Sequence, residues 1–189
     1  MHPSHFAKTA PHRPAFIMAQ SGEKVTYLLL EKRSNQIAHL FRSLGLEADD
    51  HIAIHMENNR HFMEIVWGAQ RAGLIYTAIS THLREEEISY IVKNCEAKVL
   101  ISSAAMDGKA RGLRDTCEQL QHCFSANGVH EDYLSWEEAT SMQSEEPIAD
   151  EERGVQMLYS SGTTGRPKGV LPQRKPGESI QVMTPSANT

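Results

Sequence analysis

The sequence lacks the features that would place it in several broad classes. No apolar run approaches the roughly 20 residues needed to span a bilayer; the longest candidates are strand-length pieces such as Lys98 to Ile101. The opening, Met1-His-Pro-Ser-His-Phe, has neither the basic start nor the apolar stretch of a secretory signal, so the chain reads as cytoplasmic. Cysteine is scarce. Cys95, Cys117 and Cys123 are odd in number and show no Cys-x-x-Cys spacing, which excludes a disulfide framework and predicts reduced, partly buried thiols. There is no lysine- or arginine-rich block, and the net charge of −5 with a pI near 6.0 argues against nucleic acid as a main partner. Internal repeats and low-complexity tracts are absent as well.

The 10 histidines do not form a metal pattern. His51 and His55 flank Ile-Ala-Ile in an expected strand, where four residues span about 13 Å, too far to share one ion. His2, His5 and His12 fall in a proline-rich stretch that reads as a mobile lead-in. Trp67 and Trp136 are expected in the core, the usual place for a tryptophan on a helix face. With 189 residues and 40% hydrophobic composition, the chain can bury roughly 70% of its unfolded surface.

What is present is one unusual stretch, Leu158-Tyr159-Ser160-Ser161-Gly162-Thr163-Thr164-Gly165-Arg166-Pro167-Lys168-Gly169-Val170. Hydroxyls, glycines, a proline and a lysine stand between an apolar run, Val155 to Tyr159, expected as a buried strand, and a second apolar start at Val170. Gly162, Gly165 and Gly169 allow backbone amides to approach a ligand closely and to turn toward one point. Ser160, Ser161, Thr163 and Thr164 add uncharged donors that can follow phosphate oxygens from several directions. Lys168 supplies a long reach and a full charge, and Pro167 stiffens the backbone just before it. The pattern therefore suits a polyphosphate. A Walker A loop is excluded, because that motif needs Gly-Lys-Ser/Thr, whereas here Arg166 and Pro167 part Gly165 from Lys168 and Gly169 follows.

The remainder alternates. Residues 1–14 read as an irregular lead-in, followed by a small hairpin from Ala15 to Ala19 and Val25 to Tyr27. Thr26 reads as an N-cap for a helix carrying Leu30, Ile37, Leu40, Phe41 and Leu44, closed by Gly45. His51 to Met56 reads as a strand, and Glu57-Asn58-Asn59 as the turn into a helix with Phe62, Ile65, Val66 and Ala69 on one face, ending at Gly73. Leu74 to Ile79 is the next strand, Arg84 to Asn94 a helix with glutamates in its first turn, and Lys98 to Ile101 a further strand. This alternation predicts parallel pairing and an α/β sheet. Gly108 to Leu120 is expected as one helix, Cys123 to Ser125 as a strand, Trp136 to Ser141 as a short helix, and the acidic run Ser144 to Glu152 as a solvated linker. Residues 171–189 show no period and read as a tail cut from something longer.

The segment Ser-Ser-Gly-Thr-Thr-Gly-Arg-Pro-Lys-Gly-Val resembles the phosphate loop of the adenylate-forming superfamily of AMP-forming acyl-CoA synthetases, luciferases and peptide-synthetase adenylation domains. The likeness extends over about residues 20–170, through Val25-Thr26-Tyr27, Arg33 to Ala38, Leu44-Gly45-Leu46, Asp50 to Ile54, Asn58, Arg71 to Tyr76 and Ala97 to Ile101. It implies a three-layer parallel-sheet subdomain with helices on both faces, the N-terminal part of a larger acyl-CoA synthetase-like domain, with residues 15–170 as its α/β region. It also implies ATP, Mg²⁺, coenzyme A and a small-molecule carboxylate as reactants, acyl-adenylate and then thioester as products, and Ser160, Ser161, Gly162, Thr163, Thr164, Gly165 and Lys168 as the nucleotide-binding residues. The family's adenine pocket, Mg²⁺-binding glutamate, ribose-binding aspartate and catalytic lysine have no counterpart here, so no catalytic or metal-binding residue is assigned and the fragment alone is expected to be inactive. Past the loop, Leu171-Pro172-Gln173-Arg174-Lys175 departs from the family pattern. The same loop would serve an adenylation domain that loads a carrier-protein thiol, a luciferase-like oxidant, or a non-catalytic ATP-binding module.

Overall fold

The computed structural model describes residues 2–160 and 166–181. In chain order the elements are α1 (Pro3–Thr9), β1 (Pro14–Ile17), β2 (Lys24–Thr26), α2 (Tyr27–Ser43), β3 (His51–His55), α3 (Arg60–Arg71), β4 (Ile75–Ala78), α4 (Glu85–Asn94), β5 (Val99–Ser103), α5 (Asp107–Ala110), α6 (Leu113–Thr116), β6 (His122–Ala126), β7 (Leu134–Ser135), α7 (Trp136–Ser141), β8 (Val155–Gln156), β9 (Leu158–Ser160) and β10 (Lys168–Val170). Six strands form one parallel sheet in the order β7-β6-β5-β3-β4-β8. Two antiparallel hairpins, β1–β2 and β9–β10, stand outside it.

Period-two side-chain alternation builds the layers. Ile52, Ile54, Val99, Ile101, Phe124 and Ala126 face one side, where they pack with Ile37, Phe41, Ile65 and Trp136 of α2, α3 and α7. Ala53, Leu100 and Cys123 face the other, against Ile88, Ile91 and Val92 of α4 and Leu113 of α6. Because both faces are covered, the middles of the central strands are apolar on both sides, with His55, Ser102 and Ser103 at their carboxyl ends. The expected three-layer α/β arrangement is what the chain adopts. Trp136 is fully buried and meets Phe124 edge-on at 5.6 Å.

Local signals account for the ends of the main helices. Thr26 Oγ1 accepts from the Leu29 amide at 3.2 Å, and Asn59 Oδ1 from the His61 amide at 3.0 Å, satisfying N–H groups that a helix start leaves unpaired. Gly45 and Gly73 close α2 and α3 with φ of 78° and 69°. Glu87 accepts from the Arg84 amide at 2.9 Å and opens α4.

Four sequence expectations need correction. Residues 3–9 are helical rather than irregular, because Pro3 sits at the start of a helix, where its missing N–H costs nothing, and His2 caps it by accepting from the Ser4 amide. His2 is consequently buried against Trp67 at 5.0 Å, not part of a mobile lead-in. Residues 108–120 do not form one helix: Gly112 takes φ 85° and splits the stretch into two single turns that let Ala110, Leu113 and Cys117 all point inward. The apolar run before the loop is not one buried strand. β8 pairs with β4, and β9 leaves the sheet with Leu158 55% exposed. The acidic run is not simply solvated either. It straps along α2, with Asn35 Nδ2 donating to the Glu145 carbonyl at 2.7 Å, Gln36 Nε2 to the Gln143 carbonyl at 3.2 Å, Arg42 to Asp150 at 2.9 Å, and Ile148 in the core. All three cysteines are free and fully buried, and burial raises Cys95 and Cys123 to about 11.

Arg71, the last residue of α3, is wholly buried. Its guanidinium donates to Ser34 Oγ at 3.0 Å and Glu151 Oε1 at 2.5 Å, and also to Asn35 and Glu31. It thereby joins α2, α3 and the strap that leads into β8. At Gly154 the backbone passes so close to the α3–β4 turn that a Cβ would lie 2.3 Å from the Leu74 carbonyl oxygen and 2.8 Å from that of Ala69.

Replacing Arg71 by Met leaves the half-buried Glu31 and Glu151 without their partner and is expected to destabilise the fold by up to about 3 kcal/mol in urea unfolding. Gly154→Ala meets backbone on both sides; the expected loss is about 1–3 kcal/mol, with faster hydrogen exchange at the Val155 and Met157 amides, which donate to Leu74 and Tyr76 at 3.1 and 2.9 Å. His55, at the end of β3, is fully buried with no hydrogen-bond partner for either ring nitrogen among the described residues. Burial and then the nearby Lys109 push it down from 6.5 to about 4. The unfolded chain therefore takes up a proton near pH 6.5 that the folded chain refuses until about pH 4. Stability should be full above pH 6.5 and fall by up to about 3 kcal/mol toward pH 4, and His55→Leu should flatten that part of the pH–stability curve.

Candidate functional site

Of the residues singled out for polyphosphate, Ser161, Gly162, Thr163, Thr164 and Gly165 lie outside the described residues. The structure does describe both ends of their segment. β9 and β10 are antiparallel, with Lys168 opposite Ser160, Gly169 opposite Tyr159 and Val170 opposite Leu158. Ser160 and Lys168 therefore stand side by side in neighbouring strands. Both are exposed, and Lys168 forms no ion pair among the described residues.

The hairpin is fixed beside α4 rather than inside the sheet. Tyr159 Oη donates to Asn94 Oδ1 at 2.7 Å at the end of α4, and the Arg166 guanidinium lies 5.6 Å from the Tyr90 ring centre. Burial, followed by the neighbouring Cys95, pushes the Tyr159 phenol up, so it acts here as a neutral hydrogen-bond donor. Arg166 thus rests on an aromatic face. Nothing in the sequence pattern pointed to Tyr90 or Asn94, since both look like ordinary residues of an amphipathic helix.

A cleft of about 640 Å³ runs between Arg166, Pro167, Tyr90, Lys93 and the first turn of α4. Glu85, Glu86 and Glu87 line it together with Lys93 and Arg166, so its charge is mixed. Lys168 stands outside the lining of this cleft. Among the described residues no three His, Cys, Asp or Glu side chains converge in a way that could hold a metal ion.

A second region lies at the carboxyl edge of the parallel strands. The helix after β3 covers one face and those after β5 the other, so the strand order switches direction between these two neighbours, where open α/β sheets form a crevice. Ser102 Oγ donates to the His55 carbonyl at 3.0 Å, and Ser103 Oγ donates to the Glu57 carboxylate. Burial pushes Glu57 up, but hydrogen bonds from Ser103 and Asn59 outweigh it and hold the carboxyl below its usual range. Clefts of about 570 and 480 Å³ meet here at Gln20, Glu57 and Asn58. Sequence reading gave Glu57 and Asn58 only a turn-forming role; their convergence with Ser103 depends on the β3–β5 register.

The family model for AMP-binding enzyme matches residues 4–173. Among curated proteins, the chain is similar to the crotonobetaine/carnitine–CoA ligases of Escherichia coli O157:H7 and Shigella dysenteriae, each 28% identical over 172 residues that make up 85% of this chain and 33% of the relative. The chain thus spans about a third of the length of those relatives. Among solved structures, the anthranilate CoA ligase AuaEII in complex with anthranoyl-AMP superposes with a TM-score of 0.78 at 24% identity, over 89% of this chain and 33% of that one. The N-terminal domain of FACL13 from Mycobacterium tuberculosis superposes with a TM-score of 0.75 at 24% identity, over 89% of this chain and 42% of that one. These likenesses show the fold, and the family match over most of the sequence decides the affiliation: the chain belongs to the AMP-binding enzyme family.

Proposed function

We propose that this chain is the phosphate-loop portion of an ATP-dependent, AMP-forming carboxylate–CoA ligase acting in the cytoplasm. The observation that carries the reading is the β9–β10 hairpin, which sets Ser160 and Lys168 opposite each other at the base of the Ser161 to Gly165 segment, within a chain of the AMP-binding family. In this role Lys168 places its positive charge on the terminal phosphates of ATP, and the Ser160 hydroxyl donates to the same group. The Ser161, Gly162, Thr163, Thr164 and Gly165 backbone and hydroxyls complete the cradle. A carboxylate oxygen attacks the α-phosphorus, pyrophosphate leaves, and the acyl group of the resulting adenylate passes to the coenzyme A thiol. Lys168 assists by neutralising charge that grows on the departing pyrophosphate. Mg²⁺ supplies further neutralisation when bound to the nucleotide; the described residues offer no ligand set of their own for it.

The coenzyme A acceptor is supported by the relatives, whose names are those of CoA ligases. The parts of such relatives beyond the matched third would carry the remaining groups needed for turnover.

Lys168→Ala should weaken binding of ATP or tripolyphosphate to this chain by roughly 10-fold or more, the worth of one charge-assisted contact, with an unchanged unfolding midpoint. Isothermal titration beside thermal unfolding checks this, and equal affinity in both proteins would remove the loop assignment. In the complete protein, ATP, Mg²⁺, coenzyme A and a panel of carboxylates should yield AMP and an acyl-CoA by mass spectrometry. AMP formed with coenzyme A ignored would instead indicate a carrier-protein thiol as acceptor, and absence of AMP with every acid would indicate a non-catalytic ATP-binding module.

A further inference from the structure

The segment carrying the hairpin is closed at its base by Arg174, with the Arg153–Glu178 pair and the Gly177 amide just beyond it. Arg174 lies four residues past β10, with its side chain only 6% exposed. Nε and Nη2 both engage the Asp49 carboxylate, the latter at 2.6 Å, while Nη1 donates to Glu152 Oε2 at 2.9 Å. The same Glu152 oxygen accepts from the Gly177 amide at 2.7 Å. Both carboxylates belong to well-held backbone. The Asp49 amide donates to the Gly73 carbonyl at 3.0 Å in the turn before β3, and the Glu152 amide to the Arg71 carbonyl at 3.2 Å beside its bridge to Ala72. Contacts with Arg174, chiefly its hydrogen bonds, hold Asp49 below the usual carboxylate range; for Glu152 the Gly177 amide comes first and Arg174 second.

The chain therefore leaves the body of the protein at Glu152, runs through β8, β9, the polyphosphate segment and β10, and returns to the same carboxylate at Arg174. β8 fixes the outgoing limb through its pairing with β4. β10 is exposed along its length. Its return limb is anchored first by the forked guanidinium, which meets one carboxylate with two parallel contacts and so fixes direction as well as distance, and then by Glu178 on Arg153 at 3.2 Å.

We propose that Arg174 is a positioning residue for the phosphate segment: its clamp on Asp49 and Glu152 sets where Lys168 stands relative to Ser160 and to the rest of the protein. The assignment rests on the reading of residues 160–168 as a polyphosphate loop. It concerns a residue that the sequence leaves in an unpatterned tail.

The test compares the unaltered chain with Arg174→Gln and Arg174→Lys, using hydrogen exchange of individual amides and titration with tripolyphosphate. Arg174→Gln should speed exchange in β9 and β10 by about 10-fold or more and weaken tripolyphosphate binding by a similar factor, while β3 and β5 keep their protection. Arg174→Lys, which keeps the charge but not the fork, should recover only part of both. Unchanged exchange in the hairpin would overturn the clamp, as would affinity lost without faster exchange, because Arg174 would then act on the ligand directly. Protection lost equally in β3 and β5 would also overturn it, since the arginine would be supporting the whole fold. Faster hairpin exchange with no tripolyphosphate binding by any of the proteins would uphold the clamp and remove the phosphate reading.

Discussion

A buried guanidinium holds the two halves of this structure together. Arg71 sits where α3 ends, and its donors reach Glu31, Ser34 and Asn35 on α2 and Glu151 on the strap that precedes β8. A charge withdrawn from water in this way is tolerated only if every donor finds a partner, and that requirement couples elements far apart in sequence. The strap cannot drift from α2 without leaving Arg71 or Glu151 unpaired. Since the strap feeds β8, and β8 feeds the hairpin, placement of the candidate site begins at this ion cluster. Burial keeps Glu151 above its usual range in spite of Arg71, a sign of how far the cluster is removed from solvent.

The sheet supplies the rigid reference for that placement. Its parallel strands bury both faces, so the apolar alternation at Ile52-Ala53-Ile54 and Val99-Leu100-Ile101 fixes register against two different helix layers at once. The edge is less constrained. β8 is two residues long, kept close by Gly154, and beyond it the chain turns outward to lie beside α4 through Tyr159 and Arg166. A loop that must admit a ligand and release it is better carried on such an edge than on a central strand, where any movement would disturb the core.

Charge is distributed to match. The glutamates at the start of α4 stabilise that helix start and line the neighbouring cleft. Carboxylates elsewhere are consumed internally: Glu31 and Glu151 by Arg71, Asp49 and Glu152 by Arg174, Asp150 by Arg42. The acidic balance of the chain is in large part an internal scaffold of ion pairs.

The sequence by itself determined the layered α/β character, because a core-facing helix and a doubly buried strand each impose a period that survives without knowledge of neighbours. It also determined the caps at Thr26 and Asn59 and the glycine stops at Gly45 and Gly73, which depend on the geometry of a few adjacent residues. The family affiliation was legible for the same reason, since the glycine, hydroxyl and lysine pattern from Ser160 to Lys168 is written in a few successive residues. Only the tertiary structure decided that the acidic run is strapped to α2, and that the run after Gly154 divides between a sheet edge and an exposed hairpin. Both turn on partners far away in sequence, as between Asn35 and the Glu145 carbonyl or the Met157 amide and the Tyr76 carbonyl. Pairing over that distance is set by which charges are left unsatisfied once the core has closed, and no local period records it.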